Sequence, residues 1–95
     1  TEYDDIHTKA NQPQVIISAI KKNNDFLEVE VRVESPLAIK QVDFFLDGKL
    51  ITGDSTSPYV AFLPIVNDNQ KHLITARAYD VVENSSEKSE TISLP

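Results

Sequence analysis

Ninety-five residues, 40% of them hydrophobic, make one domain, enough for a single core between two layers and little more. Without cysteine there is neither a disulfide nor a thiolate metal site. The net charge of −6, with Arg32 and Arg77 far apart and Lys21-Lys22 the only adjacent basic pair, excludes the clustered cations that bind phosphate backbones, so no nucleic-acid partner is expected.

Residues 1–14 are polar and aperiodic, with Tyr3 and Ile6 their only large apolar side chains. They read as a linker or amino-terminal extension, and the folded domain is expected over 15–95. Pro13 marks the approach to a first strand, Val15 to Ile20. Lys21 to Asp25, KKNND, reads as a turn, because Asn and Asp accept left-handed backbone and bond their own main chain.

Phe26 to Glu34 carries the cleanest strand signal. Leu27, Val29, Val31 and Val33 alternate with Glu28, Glu30, Arg32 and Glu34, one face buried and one wet. After Ser35-Pro36, the next strand runs from Val42 to Leu46, with Val42, Phe44 and Leu46 on one face and Asp43 and Phe45 on the other. Asp47-Gly48 suits a two-residue type I′ turn, which needs positive φ at both positions. Lys49 to Ile51 returns as a short strand, and Gly53 to Ser57 reads as a loop.

Pro58 precedes a strand from Tyr59 to Leu63, and Pro64 bars that strand from a central place in a sheet. Asn67 to Gln70 is a further turn. In His72 to Asp80, His72, Ile74, Ala76 and Ala78 alternate with Leu73, Thr75, Arg77 and Tyr79; the alanines call for close approach of two sheets. Val81 to Lys88 reads as a polar connection, and Thr91 to Leu94 as a last strand with Ile92 and Leu94 inward. No segment has sustained helical periodicity. The expected fold is all-β, an antiparallel sandwich of about seven short strands.

Three stretches carry a family resemblance: V-D-F-F-L-D-G-K-L-I at 42–51, S-P-Y at 57–59 and H-L-I-T-A-R-A-Y-D at 72–80. Together they resemble the bacterial immunoglobulin-like domains of extracellular and cell-envelope proteins, over about Val15 to Leu94. In such families Gly-Asn commonly follows the Asp; Glu83-Asn84 stands there in this chain. The resemblance implies an immunoglobulin-like sandwich with Greek-key connections. It also implies a non-catalytic accessory or spacer module, cut from a longer exported protein and partnered by neighbouring domains of its own chain. The absent cystine sets it apart from the usual secreted eukaryotic immunoglobulin domain. The alternative is a module binding cell-wall glycan or another surface protein, for example the carboxy-terminal accessory domain of a peptidoglycan-synthesising or secreted hydrolytic enzyme.

The candidate sites are few. His72 lacks the compact Ser/His/Asp spacing of a nucleophilic site and is expected as a packed or edge histidine, so no catalytic residue is assigned. Asp80, Glu83 and Asn84 could offer oxygens to Ca²⁺, which takes six to eight; the preferred reading is an aspartate that fixes its own turn. Asn67-Asp68-Asn69 and the Tyr3-Asp4-Asp5 cluster receive the same reading, and no metal or cofactor is expected. Asn84-Ser85-Ser86 matches the N-glycosylation triplet, a weak signal. Phe45, Leu73 and Tyr79 fall on outward faces and are candidates for an apolar interaction patch, whereas Tyr59 is placed as a plug at one end of the core. No apolar run nears the roughly 20 residues of a membrane span, and no leader is visible, so membrane insertion is not expected.

Overall fold

Period-two alternation of apolar side chains sets the layers of this protein. The computed structural model describes residues 12–23, 25–64 and 70–94. They form β1 (Gln14–Lys22), β2 (Phe26–Glu34), β3 (Ile39–Leu46), β4 (Lys49–Asp54), β5 (Tyr59–Pro64), β6 (Gln70–Asp80) and β7 (Ser85–Leu94). One sheet has the order β1-β2-β5 and the other β4-β3-β6-β7. Every neighbouring pair is antiparallel.

The turn chemistry explains the three-plus-four division. Asp47 and Gly48 have φ of 52° and 83°, the positive values that a two-residue I′ hairpin requires. A two-residue turn leaves no chain with which to cross to the other layer, so β4 must pair with β3. The connections β2 to β3, β4 to β5 and β5 to β6 change sheets instead.

Leu27, Val29 and Val31 of β2, Ala61 and Leu63 of β5, Val42, Phe44 and Leu46 of β3, and Ile74, Ala76 and Ala78 of β6 are buried between the layers. Each large side chain removed from water in this way contributes about 1.5–3 kcal/mol. Tyr59 is buried at one end of this core, as its position after Pro58 suggests, and the Ser57-Pro58 bond is cis. Burial raises its phenol above the ordinary 10.0, and the charge of Asp54 adds to the shift.

Several strands outrun their expected limits. Lys21 and Lys22 lie in β1, opposite Glu28 and Leu27, and the Asn23 N–H donates to the Phe26 carbonyl at 2.9 Å. β3 starts earlier, at Ile39. β4 continues through Gly53 and Asp54, because a bulge puts Phe45 opposite Leu50 and Phe44 opposite Thr52. The extra residue, Ile51, packs against the core. Gly53 tolerates the pairing because a Cβ there would stand 2.7 Å from side-chain atoms of Asp43 and Gln41.

Gln70 belongs to β6, opposite Leu94. The largest correction is β7, which begins at Ser85 and absorbs most of the expected polar connection. On its core-facing side Lys88 and Glu90 stand opposite Ala76 and Ile74, yet both stay exposed. Charges at such positions protect an edge strand from further pairing. Pro64 ends β5, also an edge strand, and Lys49 begins a third. Residues 1–11 and 65–69, with Tyr3-Asp4-Asp5 and Asn67-Asp68-Asn69, lie outside the described residues, as does the Leu94 side chain.

The pairings also define two poles. Gln14 opposite Glu34, Val31 opposite Tyr59 and Tyr79 opposite Ser85 bring connections 35–38, 55–58 and 81–84 to the end where β1 begins. Lys22 opposite Leu27, Leu46 opposite Lys49 and Gln70 opposite Leu94 place Asn23 and Asp25, the Asp47-Gly48 turn and the end of β7 at the other. The tightness of the inter-sheet space at the alanines is testable. Ala76→Leu forces three extra carbons into a filled layer and should cost about 1–3 kcal/mol, read as a lower urea midpoint with an unchanged m-value.

Candidate functional site

The polar groups of this domain with fixed geometry cluster where strands turn, and three aspartates dominate them. Asp80, at the end of β6, is fully buried. Its Oδ1 accepts the N–H groups of Val82 (3.0 Å) and Asn84 (2.8 Å), and its Oδ2 accepts the Asn84 side-chain amide (2.9 Å). Main-chain bonds from Asp80 N–H to the Asn84 carbonyl (3.0 Å) and from Glu83 N–H to the Asp80 carbonyl (3.2 Å) close the same loop. A buried carboxylate is tolerable only when so satisfied.

This geometry uses the expected calcium candidates for other work. The Glu83 carboxylate turns outward to Lys40 Nζ at 2.9 Å, away from Asp80. Among the described residues no group of three His, Cys, Asp or Glu is placed to hold a metal ion. Asn84 is buried with its amide given to Asp80, so the nitrogen of the glycosylation triplet is already engaged. Glu83 has φ of 68°, the left-handed conformation that glycine adopts most readily.

Asp47 does the corresponding work at the opposite pole. Its N–H donates to the Leu73 carbonyl (2.8 Å), its Oδ1 accepts the Leu73 N–H (2.9 Å), and its Oδ2 lies 2.6 Å from His72 Nδ1. His72 is thus the packed histidine expected, buried with its Nδ1 against a carboxylate. The His72 side chain and the Leu73 amide hold the Asp47 carboxyl below its ordinary value of 3.8. Asp54 anchors the third connection, accepting the N–H of Thr56 (3.1 Å) and of Val60 (3.2 Å). Sequence reasoning missed the reach of Asp47 and of Asp54. An Asx-type aspartate at a strand end was the only signal available for either.

The outer face of the four-stranded sheet holds the other candidates. Phe45 and Leu73 line one groove of about 290 Å³ with Gly48, Thr75, Arg77, Glu87 and Ser89. Exposed Leu50, opposite Phe45, extends its apolar side. Tyr79 lines a separate groove of about 200 Å³ with Lys40, Gln41 and Glu83. Between them lies a charged row: Asp43 opposite Arg77, and Arg77 bonded through Nε (3.1 Å) and Nη2 (2.6 Å) to Glu87 Oε1. Tyr79 and Glu87 raise the Arg77 guanidinium above its ordinary value. Thr75 faces outward too, but is buried beneath it, with Oγ1 2.8 Å from Ser89 Oγ. The structure therefore brings Phe45 and Leu73 together and sets Tyr79 apart. On the other sheet, Phe62 is 56% exposed and meets Phe26 edge to face at 5.1 Å, an apolar pair that alternation did not single out.

A seven-stranded antiparallel sandwich whose aspartates hold its own loops is an immunoglobulin-like module. Residues 13–76 match the family model described as bacterial Ig domain, and the chain belongs to that family. Among solved structures it is similar to the fibronectin(III)-like modules of Clostridium thermocellum CbhA. The two are 28% identical, with a TM-score of 0.73 over 85% of this chain and 96% of that one. No curated protein gives a significant match. Modules of these two kinds are typically non-catalytic and are common in extracellular proteins.

Two outcomes follow from the clamps. Glu83→Gly relieves a left-handed non-glycine residue at the loss of one exposed ion pair, and should stabilise the domain by about 0.5–1 kcal/mol. By calorimetry that is a rise of a few degrees. The Asp47 carboxyl is depressed in the folded state, so its contribution is full above 3.8 and disappears as pH falls through the folded value. Asp47→Asn should therefore be less stable than the parent at pH 6, with the gap closing below about pH 4 in parallel denaturant titrations.

Proposed function

We propose that this chain is a non-catalytic spacer and positioning module of a larger extracellular or cell-envelope protein. In that reading residues 15–95 are the domain, residues 1–14 a linker, and its partners are neighbouring domains of the same polypeptide. The observation that carries the reading is the placement of β1 and β7. The first begins at one pole and the last ends at the other, so neighbours joined at both sides are separated by the length of the sandwich. Ten residues of β7 at about 3.3 Å each give roughly 33 Å.

The edges support the same role. Pro64, the bulged β4, and Lys88 and Glu90 on β7 each discourage the strand addition that would make a tandem array aggregate. Fixed loop geometry suits a rigid strut, and the polar side chains that fix it are engaged within the fold. The binding alternative rests on Phe45, Leu73 and Tyr79, and the Asp43–Arg77–Glu87 row that divides them favours positioning over it.

Replacing residues 15–94 in the parent protein with a Gly/Ser linker of equal length tests the proposal. Pulsed electron–electron resonance between labels on the flanking domains should change from a narrow distance distribution to a broad one. An unchanged distribution, with unchanged activity of the neighbours, would remove the spacer role.

A further inference from the structure

An aspartate followed by glycine is the dipeptide at which a chain most readily attacks itself. The next backbone nitrogen closes on the side-chain carboxyl, and glycine has no Cβ to hinder it. That dipeptide occurs once in this chain, as Asp47-Gly48. The turn presents it to water. The Asp47 side chain is 49% exposed, and among the described residues a Cβ on Gly48 would meet nothing within 4 Å.

The fold grips the reacting group from another strand. The Asp47 N–H donates to the Leu73 carbonyl at 2.8 Å, and the Leu73 N–H donates back to Oδ1 at 2.9 Å. Oδ2 lies 2.6 Å from His72 Nδ1. Both partners belong to β6, so neither moves with the hairpin. With both oxygens fixed, the plane of the carboxyl group is fixed as well. Ring closure must bring Cγ to bonding distance of the Gly48 nitrogen, and that motion carries both oxygens off β6. The His72 side chain and the Leu73 amide also hold the carboxyl below 3.8, so at neutral pH it stands as a carboxylate, which has no hydroxyl to expel.

We propose that Asp47-Gly48 is a latent succinimide and isoaspartate site, kept closed by His72 and the Leu73 amide and opened when β6 releases the turn. The step is intramolecular and needs only water. The Gly48 nitrogen forms a bond to Asp47 Cγ, and its proton leaves with the carboxyl hydroxyl as one water. Hydrolysis of the ring at one carbonyl restores aspartate. At the other it leaves isoaspartate, with the main chain routed through Cβ and Cγ. An extra backbone carbon is incompatible with a two-residue I′ turn, so the product releases β4 from β3. The site thereby turns a transient opening between β3 and β6 into a covalent mark.

The test follows the 95-residue chain at neutral pH and body temperature, folded and, in parallel, unfolded in guanidinium chloride. Mass spectrometry reads the succinimide as loss of one water, and electron-transfer fragmentation reads isoaspartate at Asp47. The folded parent should react about tenfold or more slowly than the unfolded chain. His72→Leu and His72→Phe, each held below its own melting temperature, should raise the folded rate about threefold or more. His72→Asn, whose side-chain amide can stand where Nδ1 stood, should return it to the parental value. Ala76→Leu weakens the core and leaves the grip on Asp47 intact, so it should keep the parental rate while folded. A folded parent that reacts as fast as the unfolded chain overturns the latent site, as do leucine and phenylalanine variants at the parental rate. Equal acceleration in Ala76→Leu overturns the role of His72, because general loosening then accounts for the reaction.

Discussion

The Asp47-Gly48 turn is the constraint on which much of this structure depends. A two-residue hairpin with positive φ at both positions binds β4 to β3 and so settles which sheet receives the fourth strand. It also sets which face of β3 is wet: with Val42, Phe44 and Leu46 committed to the core, Phe45 must point outward. The same aspartate then reaches 25 and 26 positions along the chain, to His72 and to the Leu73 amide, and ties the start of β6 to the end of β3. A local turn thereby becomes a long-range contact, and one carboxylate serves both.

Asp54 and Asp80 repeat the device at the other pole. Each ends a strand, and each satisfies backbone donors that an irregular connection would otherwise leave exposed or unpaired. The Asp80 oxygens accept amide protons from their own loop, and His72 Nδ1 lies beside the Asp47 carboxylate.

The parts of this fold legible in the sequence are those where burial and backbone agree. β2 alternates without interruption because it is central in its sheet and one face is wholly core. β6 reads equally well, and its alanines announce the close sheets. β7 was hidden because it is an edge strand. Its hydrogen bonds come from β6, and S-S-E-K-S-E-T buries too little to impose a period. Gly53 and Asp54 resembled loop because a bulge and a bare glycine satisfy needs of the partner strand that β4 itself does not display. The outward direction of Phe45, Leu73 and Tyr79 was readable from parity. Their division into two grooves was not, since it depends on Arg77 lying opposite Asp43 and across from Glu87, three residues on three strands.

The same distinction separates the two poles. The Asp47 pole ends in a tight turn, with exposed Leu50 and Leu73 beside it on the outer face of the sheet. At the other pole the Asp80 clamp uses the polar groups of its loop from below, and the side chains left facing water are aliphatic. A loop that turns its amides inward must turn something else outward, and in 81–84 the residues available are Val81, Val82 and Glu83. Glu83 is drawn aside to Lys40, which leaves the valines at the tip beside Ala38. The apolar surface thus arises from the way the loop satisfies its own backbone, and the strained φ of Glu83 belongs to that arrangement.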